Sequence, residues 1–209
     1  MKIINVMASS LDGRIAVQDA ESDEQRQAVG LSGDADQEFL REQIQAADAV
    51  IVGARSVRAN GGCFEAGDGS PHWYVIGRSS IPGEMNFWRQ THLGRTIVSP
   101  HPLSMPAGNH GVTNLCPAGK SLPVWLRDHL ESRGFETVLL LGGGVINRMF
   151  YNAGVVDGLR LTLSPIIVGR SRAPHLVEPG LPRPVSLVLK SSLKTENFVF
   201  LDYEILHQR

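Results

Sequence analysis

Cysteine is scarce in this chain: Cys63 and Cys116 are the only two among 209 residues. They form no C-x-x-C and no metal-like spacing, which excludes a disulfide framework and points to reduced thiols in a cytoplasmic setting. Long apolar runs are missing as well. No stretch of 18 apolar residues occurs, so no membrane span is expected. The opening segment, Met1 to Gly13, enters a strand-and-turn pattern with no apolar leader. The seven histidines (72, 92, 101, 110, 129, 175 and 207) make no H-E-x-x-H or other ligand pattern, and no metal is expected. Charge of one sign is also lacking. Twenty Lys+Arg against 21 Asp+Glu leave a formal net charge of −1, which offers no footprint for nucleic acid or an anionic membrane. What remains is an ordinary globular composition, 42% hydrophobic and 20% charged, long enough for one sizeable core, so residues 1–209 read as one domain.

Along the chain, strands and helices alternate. Lys2 to Ser9 reads as a buried strand, and Asp12-Gly13 as a turn into a short strand, Arg14 to Val17. Asp19 to Ala28 is polar and loop-like. Ser32-Gly33-Asp34 offers a cap for a helix over Ala35 to Ala47, whose Phe39, Leu40, Ile44 and Ala47 share one face. Ala49 to Val52 is a continuous apolar run ended by Gly53, the pattern of a central strand, and a helical turn over Ala54 to Ala59 follows. A glycine-rich loop spans Gly61 to Gly69. Strands are expected at His72 to Ile76, Arg95 to Val98, Val112 to Leu115 and Leu159 to Leu163, with a helix over Pro123 to Arg133. Val185 to Leu189 and Phe198 to Ile205 alternate as two antiparallel strands joined near Glu196-Asn197. The expected fold is a single α/β domain with a mixed, mainly parallel sheet flanked by helices.

The richest stretch is Val138 to Asn152, VLLLGGGVINRMFYN. An apolar strand runs into three glycines and then into an apolar-periodic helix. Such a turn lets a backbone come close to another group, and the free amides and dipole at the helix start attract an anion, most often a phosphate. It departs from the dinucleotide fingerprint G-x-G-x-x-G, because Asn147 stands at the third glycine and no carboxylate follows in Leu159 to Pro165. Read alone, the triplet is either a phosphate cradle or only a strand-to-helix turn.

Four segments together, ASSLDGRIA (Ala8 to Ala16), DAVIVGARSVRAN (Asp48 to Asn60), LLLGGGVIN (Leu139 to Asn147) and AGVVDGLRLTLSPIIVG (Ala153 to Gly169), resemble one family in order and separation. It is the reductase domain that forms the C-terminal half of the bacterial riboflavin-biosynthesis deaminase-reductase and also occurs free-standing. The likeness implies a dihydrofolate-reductase-like fold, NADPH as cofactor, a small-molecule substrate and a homodimer. No H-x-E with P-C-x-x-C is present, so no deaminase portion is expected.

The resemblance also implies roles by position. Gly53, Ser56 and Val57 and the turn Gly142, Gly143, Gly144 and Val145 would flank NADPH, and Arg78 with Ser79 would face its 2′-phosphate; their other reading is a solvated turn with a surface arginine. Ser10 and Asp12 would stand at the rim beside nicotinamide and substrate, in the catalytic group but without an assigned proton transfer; Asp-Gly between strands is otherwise a turn former. Ser32 would touch substrate or simply cap the helix. On the substrate side the pattern changes: Asn60 replaces an expected carboxylate, Leu141 an expected Glu, and Val6 an expected Lys, while Gly158 follows Asp157 where an acid is usual. Losing such partners removes roughly 2–5 kcal/mol of recognition of a polar ligand. The expectation is therefore hydride transfer to a C=N or C=O of a pyrimidine- or pterin-like compound less charged than the family's phosphoribosylamino-pyrimidines. Two alternatives stand beside it. One is a pterin or dihydrofolate reductase, for which no acidic residue reads as clearly buried, Asp48 and Asp157 lying next to strand ends. The other is a non-catalytic NADP-binding module.

Overall fold

The continuous apolar run Ala49–Gly53 forms a strand buried along its whole length, which is what both faces of a central parallel strand require. Val50 and Val52 point to one side of the sheet and Ala49 and Ile51 to the other, each set entering a separate core. In the computed structural model, residues 1–67, 70–108, 111–117, 119 and 121–206 are described. Asp68 and Gly69 of the glycine loop, and His110 and His207, lie outside the described residues.

The elements in chain order are β1 (Lys2–Ser9), α1 (Asp23–Ala28), α2 (Asp34–Gln45), β2 (Ala49–Gly53), α3 (Ala54–Asn60), β3 (His72–Ile76), β4 (Arg95–Val98), β5 (Thr113–Leu115), α4 (Leu122–Ser132), β6 (Thr137–Leu140), α5 (Gly144–Asn152), β7 (Gly158–Leu163), β8 (Ser186–Thr195) and β9 (Phe198–Leu206), with one 3₁₀ turn at Asn86–Trp88. These strands form one sheet in the order β5-β4-β3-β2-β6-β1-β7-β9-β8. From β5 to β7 every pairing is parallel; β9 runs antiparallel to β7, and β8 antiparallel to β9. The mixed, mainly parallel α/β sheet expected from the sequence is the fold.

Helices cover both faces. Ile44 of α2 and Val57 of α3 pack with Val6, Val50, Trp73 and Leu139 on one side. Leu126 and Leu130 of α4 and Phe150 of α5 pack with Ile3, Ile51, Tyr74 and Leu140 on the other. Each fully buried aliphatic side chain of this kind contributes about 1.5–3 kcal/mol, so the central strands β2 and β6 anchor both layers.

Two expectations are corrected. Arg14 to Val17 is not a strand: Arg14 makes a single bridge to His175 and the Ile15 amide donates to Pro174 O, because the neighbouring segment is an irregular loop with no strand to extend the ladder. Asp19 to Ala28 is not wholly loop. Ser22 accepts from the Gln25 amide (3.3 Å) and the Gln25 side chain accepts from the Ser22 amide (2.9 Å), a reciprocal capping box that starts α1.

Candidate functional site

The carboxyl ends of β1, β2 and β6 meet at the middle of the sheet. Strand β6 fills the place between β1 and β2, where the chain order reverses, and a crevice at such a reversal is the usual ligand site of an open parallel sheet. Two glycine turns close on each other there. A Cβ on Gly53 would stand 3.3 Å from Gly142 O and 3.5 Å from the Ile146 side chain, and the Leu141 amide donates to Ile51 O (2.8 Å). Gly142 (φ +42°) and Gly143 (φ +100°) occupy the left-handed region that favours glycine.

Asn147, at the place of the third fingerprint glycine, explains the departure from that motif. A Cβ on Gly142 would lie 1.8 Å from its Oδ1. That same oxygen accepts from Asn5 Nδ2 (3.2 Å), and Asn147 Nδ2 donates to Leu176 O (2.8 Å). Asn5 Nδ2 also donates to Leu140 O (2.7 Å), and Asn5 Oδ1 accepts from Tyr151 OH (3.2 Å). The buried amide thus clamps the turn to β1 and to the loop that carries His175. That loop closes one side of Gly144, where a Cβ would meet His175 O at 2.4 Å and the Glu178 side chain at 2.9 Å; the Glu178 carboxylate accepts from the His175 amide (2.8 Å). Gly143 faces outward with nothing within 4 Å of a built Cβ, and Val145 is exposed. The amides of Gly143, Gly144 and Val145 have no acceptor among the described residues, so the start of α5 keeps its donors free for an anion.

A third turn, at the end of β3, carries a basic cluster. A Cβ on Gly77, just past β3, would lie 2.7 Å from Ala54 Cβ, so the end of β3 presses against the start of α3. Arg78 and Ser79 follow and are exposed. Arg58 of α3 extends Nη1 to Ser79 Oγ (3.4 Å) and Ser80 O (3.5 Å). Arg58 was not singled out in the sequence; its only signal is a position on α3 one turn after Arg55.

Beside helices α1, α2 and α3 lies a cleft of about 120 Å³, the size that accommodates one aromatic ring; Gly53, Gly142 to Val145, Arg78 and Ser79 are not among its lining residues. Ser56, Val57, Asn60, Leu141 and Val6 line it, bringing together positions expected for both cofactor and substrate. Three further charged residues line it that sequence reasoning missed: Asp23 and Arg26 of α1 and Asp36 of α2. Asn60 Oδ1 accepts from the Asp23 amide (2.8 Å), tying α1 to α3 across the opening. Cys63 also lines the cleft, but burial pushes its thiol up to about 12, so it is no thiolate nucleophile.

The RibD C-terminal domain profile matches residues 1–201. This chain belongs to the RibD C-terminal domain family. Its members are oxidoreductases of riboflavin biosynthesis. The RibD-family fold is equally plain in solved structures. A pyrimidine reductase-like protein from Corynebacterium diphtheriae superposes with a TM-score of 0.81 at 18% identity over 99% of this chain and 92% of that one. RibD of Acinetobacter baumannii gives 0.79 at 18% identity, over 99% of this chain and 58% of that one. The Saccharomyces riboflavin biosynthesis reductase Rib7 gives 0.70 at 16% identity, over 98% and 90%. No curated protein matches the chain by sequence.

Within this RibD C-terminal domain the residues expected at the rim have other partners. The Asp12 carboxylate accepts from Ser10 Oγ (2.6 Å) and from the amides of Val168 and Gly169 (both 2.9 Å), with Arg14 Nε at 3.9 Å. Led by the Ser10 hydroxyl and then the Gly169 and Val168 amides, these donors hold its carboxyl well below the usual carboxylate range, so it has no proton to give near neutrality. Ser10 Oγ also accepts from the Arg14 amide (2.9 Å). Neither residue lines the cleft. Ser32 is not a helix cap. Gly33 takes that place, while the buried Ser32 hydroxyl donates to Asp36 Oδ2 (2.5 Å) and accepts from Gln37 Nε2 (2.8 Å). Among the described residues, no group of three His, Cys, Asp or Glu side chains can hold a metal ion, and no helix is long and apolar enough to cross a membrane.

Proposed function

We propose that this RibD-family chain is an NADPH-dependent reductase, residues 1–209 acting as one domain, that delivers hydride to a C=N or C=O of a small pyrimidine- or pterin-like ring. The observation that carries this reading is that Leu141, which leads into the free amides of Gly143, Gly144 and Val145, and Ser56 and Val57 at the start of α3 line one ring-sized cleft; Arg58 and Arg78 lie at the end of the neighbouring strand β3. Gly143, with open space beside it, and the neighbouring amides of Gly144 and Val145 offer free backbone donors of the kind that suits a diphosphate. Arg58, Arg78 and Ser79 offer the cations and hydroxyl that a 2′-phosphate needs. When bound, the coenzyme supplies the hydride from its nicotinamide.

The chain's own residues do the positioning. Gly142–Val145 and Gly53 receive the diphosphate bridge, Ser56 and Val57 border the ring at the start of α3, and Val6 and Leu141 give the cleft apolar walls that exclude water. Holding reacting atoms within about 3–3.5 Å of each other is most of what hydride transfer asks of a protein. The family pattern and the exposed strand β8 further support a homodimer formed through that edge.

The test is coenzyme binding by fluorescence and thermal shift. Wild type is expected to prefer NADPH to NADH. Arg58→Ala and Arg78→Ala are each expected to weaken NADPH by about 10- to 100-fold, from roughly 1.5–3 kcal/mol per charge-assisted hydrogen bond, with NADH nearly unaffected. Binding of neither coenzyme removes the proposal. A pterin-type substrate gains weight from Asp36, since a carboxylate only 5% exposed in the cleft is the group that such a ring calls for and that the sequence did not reveal.

A further inference from the structure

A second hollow lies at the far end of α5 from the glycine turn and shares no lining residue with the cleft. Gly144 opens this helix and Asn152 closes it, so about 12 Å of helix separates the two places at roughly 1.5 Å per residue. The hollow measures about 360 Å³, within the range of small-molecule sites. Apolar side chains make its floor: Tyr151 is 9% exposed, Val156 1% and Ile205 7%. The Tyr151 hydroxyl donates to Asn5 Oδ1 (3.2 Å), so the tyrosine offers the hollow its ring rather than its oxygen. One wall is the segment Leu181-Pro182-Arg183-Pro184-Val185. The Arg148 side chain ties that wall to α5 through Gly180 O (2.8 Å), and its two prolines restrict the backbone, so the shape is formed before any ligand arrives.

Three exposed polar side chains stand around this floor without a partner among the described residues: the Arg183 guanidinium, the Asn152 amide and the Ser186 hydroxyl. All three can donate a hydrogen bond. Arg183 carries the only formal charge in the lining, and no acid stands there to neutralise it. The carbonyls at the end of α5, which would repel an anion, are covered: Met149 O, Phe150 O and Tyr151 O accept from the amides of Ala153 (3.2 Å), Val155 (3.3 Å) and Gly154 (3.1 Å). We propose that this hollow is a second ligand site, for a small molecule with an apolar body and one anionic group, a carboxylate, sulfonate or phosphate. The body covers Tyr151, Val156 and Ile205 and takes their surface out of water. The anion meets Arg183, with Asn152 and Ser186 as further donors. Charge sets the sign of the ligand, since a cation would stand against Arg183 with no acid to receive it. A bare inorganic anion fits poorly, because it leaves the apolar floor wet. No His, Cys, Asp or Glu lines the hollow, so the site binds and does not catalyse.

Naphthalene-1-sulfonate and its neutral isostere naphthalene-1-sulfonamide carry one body with and without the charge, and calorimetry on the full chain compares them. The sulfonate is expected to bind once per chain and about tenfold more tightly than the sulfonamide, the worth of one charge-assisted contact. Arg183→Gln is expected to bring the sulfonate down to the affinity of the sulfonamide and to leave the sulfonamide unchanged. Ser186→Trp, which adds bulk to the lining, is expected to weaken both probes. Neither change removes a contact of the fold, because both side chains are exposed and unpartnered among the described residues. Saturating NADPH is expected to leave the sulfonate in place, which separates this site from the cleft. Equal affinity for the two probes, several weak sites per chain, displacement of the sulfonate by NADPH, or unaltered binding in either variant overturns the proposal. So does binding seen only after Leu189→Lys and Leu193→Lys have separated two copies of the chain, which would make the hollow a contact between them.

Discussion

Two adjacent glycines carry different burdens. Gly142 is both in the left-handed region and pressed on Asn147, whereas Gly143 has the same backbone demand but open space beside it. Gly142→Ala is therefore expected to cost roughly 2–4 kcal/mol, strain plus overpacking, and Gly143→Ala only about 1–2 kcal/mol, from strain alone. Urea unfolding of the two variants checks the order; equal losses would mean that the Asn147 clamp yields. Asp12 is the second residue whose chemistry has a readable consequence. Its carboxyl is held below the ordinary 3.8 in the fold, so the stability it contributes is present above that value and is lost as pH falls through it toward the folded pKa. Asp12→Asn is expected to lower the melting temperature at pH 7 and to flatten its decline between about pH 5 and 3 relative to wild type. Parallel pH curves would show that the three donors contribute no linkage.

Helix α1 marks the limit of what could be read at the level of elements. It buries no residue, so it has no apolar stripe, and its only sequence signature is Ser22 followed three residues later by Gln25. Ser22→Ala is expected to cost about 1 kcal/mol locally, raising amide exchange in α1 about fivefold while the global melting temperature barely moves. Strands β2 and β6 and the glycine turn, by contrast, were legible because continuous apolar runs and glycine triplets act locally. Asp36 was not. In the first turn of α2 it reads like Asp34, an acid favoured there by the helix dipole, and only the packing of α2 over β1, β2 and β3 buries one and not the other. The missing Lys and Glu at Val6 and Leu141 were visible as losses; the compensating charges on α1 and α2 came from non-local folding.

For the molecule as a whole, the outer strand β8 is the surface still without cover. It is exposed from Ser186 through Lys194, shows Leu187, Val188, Leu189 and Leu193 to solvent, and among the described residues pairs only with β9. An apolar edge of this length invites a second copy. Light scattering is expected to give twice the 22.7 kDa chain mass, and Leu189→Lys combined with Leu193→Lys is expected to return it to a single chain with the fold intact. A wild-type species of 22.7 kDa would remove the dimer.

The insertion of β6 between β1 and β2 has a consequence for biosynthesis. Until residue 140 has left the ribosome, the two earlier strands have nothing to bridge them, and the crevice has neither its floor nor its second bend. A nascent chain halted before that point carries β1 through β5 with a gap at the centre, and there the apolar edges of Ile3 and Ile51 stay unmatched, a natural handhold for a chaperone.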